Sequence, residues 1–166
     1  VIKVHYYPGA TIQDLEHHVV FMAGNYSDIS DVIVLHVGTN NFFDKALLLR
    51  ETPGTVKENF NNFLRLARLK FPHSHILVDS VLPKFNFAEY NDTIVQVNEH
   101  LQRLINDMDK ASFVDLSDHV RNKETGEVRA DLYRENENPG THLNSSGKEI
   151  LANVLAEHIN DVIKVE

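Results

Sequence analysis

The sequence predicts an α/β fold, an open parallel sheet in three layers with helices on both faces. Three observations carry this. Short apolar runs alternate with longer stretches whose apolar residues recur at helical spacing. The run Val32–Val37 is nearly all apolar, the mark of a strand covered on both faces, as in parallel sheets. The elements then alternate strand and helix to the end of the chain, which is the βαβ pattern of such sheets.

Taken in order, Val1–Tyr6 (VIKVHY) reads as a short strand ended by Pro8-Gly9. From Thr11 the apolar residues Ile12, Leu15, Val19 and Met22 keep helical spacing, and Thr11 with Asp14 forms an N-cap arrangement. Val32–Val37 is the next strand, and Gly38-Thr39-Asn40-Asn41 is the loop after it. Residues 55–70 set Val56, Phe60, Phe63, Leu64 and Ala67 on one helix face, with Pro72 at the exit. Ile76–Val78 is a strand. Residues 90–109 form a long helix with Ile94, Val97, Leu101, Leu104, Ile105 and Met108 inward. Ser112–Leu116 is another strand, and Asn122–Asn138 is mostly polar with a turn at Thr125-Gly126. A last helix spans 145–160, capped by Ser145 or Asn144, with Ile150, Leu151, Val154, Leu155 and Ile159 facing the core. No repeat or linker interrupts this order.

Composition bounds the function. A chain of 166 residues suits one domain. Its 42% hydrophobic and 24% charged residues are those of a soluble globule. With 16 basic and 24 acidic residues the net charge is −8, which disfavours a nucleic-acid groove, since that needs surplus Lys and Arg. There is no Cys, so disulfide and thiolate chemistry are excluded, and a reducing, intracellular compartment fits. No stretch approaches the roughly 20 apolar residues of a membrane span, so no membrane partner is expected. No signal segment is visible. The chain opens on Val inside a strand-like run, so it reads as a piece of something longer.

In open α/β sheets, sites form at the carboxyl ends of the strands. Three loops there hold unusual residues. After Gly38, the Asn40 amide can donate to a developing oxyanion, or simply close the loop through its own backbone. The Gly9 N–H sits at a strand-to-helix turn and can supply a second donor. His142, before the last helix, can act as a general base. It is one of ten His, so position alone does not single it out. His17 and His18 are adjacent and do not share a helix face. His73 and His75 flank a strand start, and none of these has zinc-ligand spacing. No metal or organic cofactor is implied.

The order of these motifs resembles the SGNH, or GDSL-type, hydrolase family. VIVLHVGTNN is similar to its third block and GTHLNSSGKEILA to its fifth, while Gly9 matches the second-block Gly. The closest flavour is the SGNH domain of retrotransposon-encoded and related eukaryotic proteins. The resemblance implies cleavage of a small ester through a covalent acyl-enzyme, with Asn40 and the Gly9 N–H in the oxyanion hole and His142 as base.

Three positions depart from the family pattern. The first block, a strand ending in Gly-Asp-Ser, occurs nowhere in the chain and is expected before Val1. Asp79-Ser80 imitates it, but follows Asn40 where the family order requires it first. The Asp usual three residues before the His is Pro139, leaving Glu137 or Asn138 to substitute if the loop bends unusually. Asn41 stands in place of the third-block Asp. In the family the missing strand lies between the Val1–Tyr6 and Val32–Val37 strands. Its loss is expected to leave unpaired edges and a poorly stable domain, unless Val1–Tyr6 shifts over to pair directly. The whole chain, 1–166, is thus expected to be one N-terminally truncated SGNH hydrolase-like domain. The competing reading is a degenerate SGNH fold that binds protein or RNA, the RNA version weakened by the acidic charge. A flavodoxin-like domain without hydrolase ancestry is disfavoured by three motifs in the correct order.

Overall fold

The computed structural model describes residues 2–42 and 50–164. Strands β1 (Val32–Leu35), β2 (His75–Asp79) and β3 (Ala111–Val114) form a parallel sheet in the order β1-β2-β3. Helices α1 (Ile12–Tyr26), α2 (Thr39–Phe42), α3 (Pro53–Lys70), α4 (Ala88–Asn106), α5 (Leu116–His119) and α6 (Ser145–Lys164) connect and cover it. The central strand shows why both faces must be covered. Ile76 and Val78 pack into a core with α1, α3 and α4, whereas Leu77 packs with α5 and α6 on the other side. Alternate residues of a strand point to opposite faces.

The helices begin where their first N–H groups find acceptors. The Thr11 hydroxyl takes the Asp14 N–H at 3.3 Å, and the Asp14 carboxylate takes the Thr11 N–H at 2.9 Å, a reciprocal box. Thr52 caps α3 through the Thr55 N–H at 3.2 Å, with Pro53 in the first turn, where a missing N–H costs nothing. Of the two candidates for α6, Asn144 provides the side-chain cap, its Oδ1 accepting the Gly147 N–H at 3.0 Å. The five residues expected inward on α3 are all buried.

The first run departs from expectation. Ile2–Tyr7 forms no strand, and Ile2, Val4 and Tyr6 are exposed; Val1 lies outside the described residues. Instead the segment leans on α1. The Lys3 ammonium lies 4.5 Å from the Tyr26 ring centroid, and Tyr7 stacks on His18 at 3.7 Å. A β-rich composition specifies a pleated, half-covered surface, and it needs a neighbouring strand to become one. Accordingly β1 is an edge strand. Among the described residues nothing pairs with its outer side, and Val34 is 38% exposed.

One buried amide ties the sheet rim to α4. Asn98 accepts from the Val81 N–H at 2.8 Å and donates to the Val81 carbonyl at 2.9 Å. Asn98→Ala orphans both backbone groups, so it is expected to lower the unfolding free energy by about 2–3 kcal/mol. Urea denaturation measures this, and a loss below about 0.5 kcal/mol would mean water replaces the amide.

Candidate active site

Gly9 occupies a turn closed by the Ala10 N–H on the Tyr7 carbonyl at 3.2 Å. Its φ of +77° lies in the left-handed region that favours glycine, while a Cβ there would meet only open space. Asn40, in the short helix α2, donates from Nδ2 to the Ala10 carbonyl at 3.0 Å. The second- and third-block residues are therefore brought together across the start of α1. The second N–H of the Asn40 amide has no acceptor among the described residues.

Asn41 has a different task. It is fully buried, its Oδ1 takes the Ile12 N–H at 2.9 Å, and its Nδ2 donates to Gln13 at 2.8 Å and Glu51 at 3.0 Å. An Asp here would lose both donations. An Asp would still accept the Ile12 N–H, so the departure from the family pattern serves the two donations, which tie Gln13 of α1 to Glu51.

His142 lies in the loop before α6, and the carboxylate that meets it is Glu137. The imidazole Nδ1 is 2.9 Å from Glu137 Oε1, while Oε2 accepts the backbone N–H groups of His142 at 2.9 Å and Thr141 at 3.1 Å. A carboxylate five residues upstream thus reaches the ring, across a loop that includes a cis Asn138–Pro139 peptide bond. Burial alone would raise the Glu137 carboxyl, but the His142 N–H, the imidazole and the Thr141 N–H hold it below its usual value. The ring is 63% exposed. Its Nε2 has no partner among the described residues, so it faces outward while the carboxylate fixes the other nitrogen.

Residues 83–90 stitch the two halves together. Phe85 and Gly140 exchange backbone hydrogen bonds of 2.9 and 3.0 Å, two residues from His142. The Tyr133 hydroxyl donates to the Pro83 carbonyl at 2.5 Å. On the other side, the buried Tyr90 ring meets Phe42 edge-on at 5.5 Å between centroids, and Phe42 ends the short helix that holds Asn40. No hydrogen bond among the described residues joins His142 directly to Asn40 or Gly9. An open cleft of about 500 Å³ borders Gly9, lined also by Tyr7, Asp14, His17 and His18. Ser80 is buried with its Oγ accepting the Ser117 N–H at 2.7 Å, so it is a loop residue and presents no nucleophile. No cluster of three or more His, Asp or Glu among the described residues is arranged for a metal.

A second carboxylate–imidazole pair escaped the sequence reading. His36 follows β1 and Asp79 ends β2, continuing the register in which Leu35 faces Val78. His36 Nδ1 lies 2.9 Å from both oxygens of the buried Asp79 carboxylate. The signal was present: His36 interrupts the run Val32–Val37, Asp79 ends the next apolar run, and parallel pairing sets them side by side. Asp79 raises the imidazole above its usual value; burial raises the Asp79 carboxyl, and the imidazole pulls it partly back. For His36, a folded value above the unfolded one gives stability that is full below about pH 6.5 and lost as pH rises through the folded value. A raised Asp79 acts in the same direction, because the folded state then holds protons more tightly. Urea midpoints are therefore expected to fall from about pH 6.5 upward, and His36→Gln to flatten that slope. A midpoint that climbs over this range would reverse the assignment.

A parallel α/β sheet with an Asn-bearing turn after its edge strand and an oriented His before its last helix defines an SGNH-type hydrolase fold. Residues 2–150 match the GDSL-like lipase/acylhydrolase family, and the chain belongs to it. Among solved structures it is similar to a carbohydrate esterase family 3 protein from Talaromyces cellulolyticus, with 18% identity over 95% of this chain and 70% of that one, TM-score 0.70. It is similar to a Clostridium thermocellum family 3 carbohydrate esterase, with 20% identity over 95% and 69%, TM-score 0.65. It also resembles the OSK domain of Drosophila Oskar, with 13% identity over 89% and 69%, TM-score 0.67. No curated protein matches the sequence. At these identities the structures share the fold. Among the described residues no helix is long and apolar enough to cross a membrane.

Proposed function

We propose that this chain supplies the oxyanion hole and the acid–base pair of an ester hydrolase, and that a serine on a strand preceding Val1 supplies the nucleophile. The observation that carries the reading is the Glu137 carboxylate 2.9 Å from Nδ1 of His142, which leaves Nε2 as a base. The serine Oγ attacks the ester carbonyl carbon as its proton passes to Nε2. Negative charge on the carbonyl oxygen meets the free Asn40 N–H and the Gly9 N–H. The C–O bond to the alcohol breaks, the imidazolium protonates the leaving alkoxide, and water, deprotonated by the same imidazole, releases the acid. Glu137 keeps the ring's Nδ1 proton in place and stabilises the imidazolium. The open outer edge of β1 is where the missing strand would pair, and this suits a domain truncated at its N-terminus.

A nitrophenyl acetate assay tests this. The 166-residue chain alone is expected to show no turnover sensitive to a serine-directed sulfonyl fluoride. A longer polypeptide with the upstream serine is expected to show it. Absence from both would favour the second reading, a fold kept as a binding module for protein or RNA. The likeness to the OSK domain, which is not named for a hydrolase, is the observation on that side.

A further inference from the structure

We propose that Lys84 forms a subsite for an anionic group, a carboxylate or a phosphate, carried by the molecule that occupies this rim. The inference rests on the hydrolase reading for where the reacting ester lies, but not for the binding itself. Lys84 is only 5% exposed. Its ammonium lies 4.6 Å from the centroid of the buried Tyr90 ring. Among the described residues no carboxylate answers it. The ion pairs there are His36–Asp79, Arg129–Asp131 and His142–Glu137, and no hydrogen bond from the ammonium is present. This holds in a chain with 24 acidic and 16 basic residues, where a structural lysine would easily find an acid.

An enclosed cation without a counter-charge is unfavourable, and burial accordingly holds the Lys84 amine below its usual value. The face of an aromatic ring offsets part of that cost. An anion from outside would offset the rest. The tip is reachable, because Lys84 Nζ is not among the side-chain atoms sealed from solvent without a partner.

Position makes the residue more than an isolated oddity. Lys84 is fixed by both of its backbone groups, its N–H donating to Asn91 and its carbonyl accepting from Asn91, each at 2.8 Å. Its neighbour Phe85 pairs with Gly140 in the His142 loop, and its ring partner Tyr90 packs edge-on against Phe42, in the short helix that holds Asn40. The ammonium thus stands in the segment that links the proposed base to the proposed oxyanion hole. A rigidly mounted point charge with three donors suits recognition of a compact oxyanion. An ester that carries such a group, as a half-ester of a dicarboxylic acid does, would be selected over a neutral one.

The test needs no turnover. The isotope-labelled 166-residue chain is titrated at pH 7 with monomethyl succinate, methyl phosphate and neutral methyl butyrate, following the amides of Lys84, Phe85 and Gly140. Saturable shifts are expected with at least one anion and not with the neutral ester. Lys84→Met is expected to weaken that binding about tenfold or more, the loss of a charge-assisted contact. The tighter of the two anions identifies the source of the charge. Lys84→Gln, judged folded by retained amide dispersion, serves if the Met variant does not fold. Equal binding by the variants, or no saturable shift with either anion, would overturn the proposal. A saturable shift without esterase activity in the longer polypeptide would leave the subsite standing and remove the hydrolase reading.

Discussion

His142→Ala is expected to lower kcat/KM for a short-chain nitrophenyl ester by about 10³–10⁴-fold in a polypeptide that carries the upstream serine. Without the imidazole, a serine hydroxyl near neutral pH has no acceptor for its proton, and the oxyanion donors alone leave only residual catalysis. Glu137→Gln should cost about 10²–10⁴-fold in kcat, because the amide keeps the shape but loses the charge that stabilises the imidazolium. KM should hardly change in either variant, since neither group is expected to hold the ground-state ester. Glu137 also accepts two backbone N–H groups, so thermal denaturation of the Glu137→Gln variant must accompany the kinetics. Full activity in the His142→Ala variant would remove His142 from the mechanism. Full activity in the Glu137→Gln variant alone would leave a dyad in which the carboxylate is structural.

What could be read beforehand follows from how many chain segments each feature needs. Helices are local, so the spacing of Val56, Phe60, Phe63, Leu64 and Ala67 located the buried face of α3 without further information. The apolar run Val32–Val37 declared a strand but was expected to be covered on both faces, whereas β1 is the edge strand with Val34 38% exposed. The shorter run Ile76–Val78 proved to be the central, fully covered one. Val1–Tyr6 shares that composition, but a strand exists only with a partner, and the segment from Ile2 lies against α1 instead. The carboxylate that meets His142 was hidden for a related reason. Pro139 occupies the usual position, and only the path of the 137–142 loop returns Glu137 to the ring. His36 and Asp79 stand 43 residues apart, joined by register between parallel strands. Pairings of that kind are decided by topology, and spacing along one chain does not express them.

Gly38→Ala is expected to be the most damaging single methyl group at the site, lowering stability by about 3–5 kcal/mol. Two costs combine. Its φ of +121° is a backbone conformation that L side chains rarely adopt, and a Cβ there would come within 2.8 Å of Phe60 Cζ and 2.9 Å of Val81 Cγ2. Neither neighbour can yield easily, since both are buried in the core shared by α3 and the β2 exit. Gly9→Ala separates the two terms, because that glycine also has positive φ but open space around it, and about 1 kcal/mol is expected. Phe60→Leu, placed together with Gly38→Ala, should return part of the packing term and none of the backbone term, as a double-mutant cycle reads directly. The same collision would reach function. The Gly38 carbonyl accepts the Asn41 N–H at 3.1 Å at the start of α2, so moving it moves Asn40 off the Ala10 carbonyl. Equal destabilisation by Gly38→Ala and Gly9→Ala would show that crowding against Phe60 contributes nothing, and the close packing of the Asn40 turn on α3 would then be without energetic consequence.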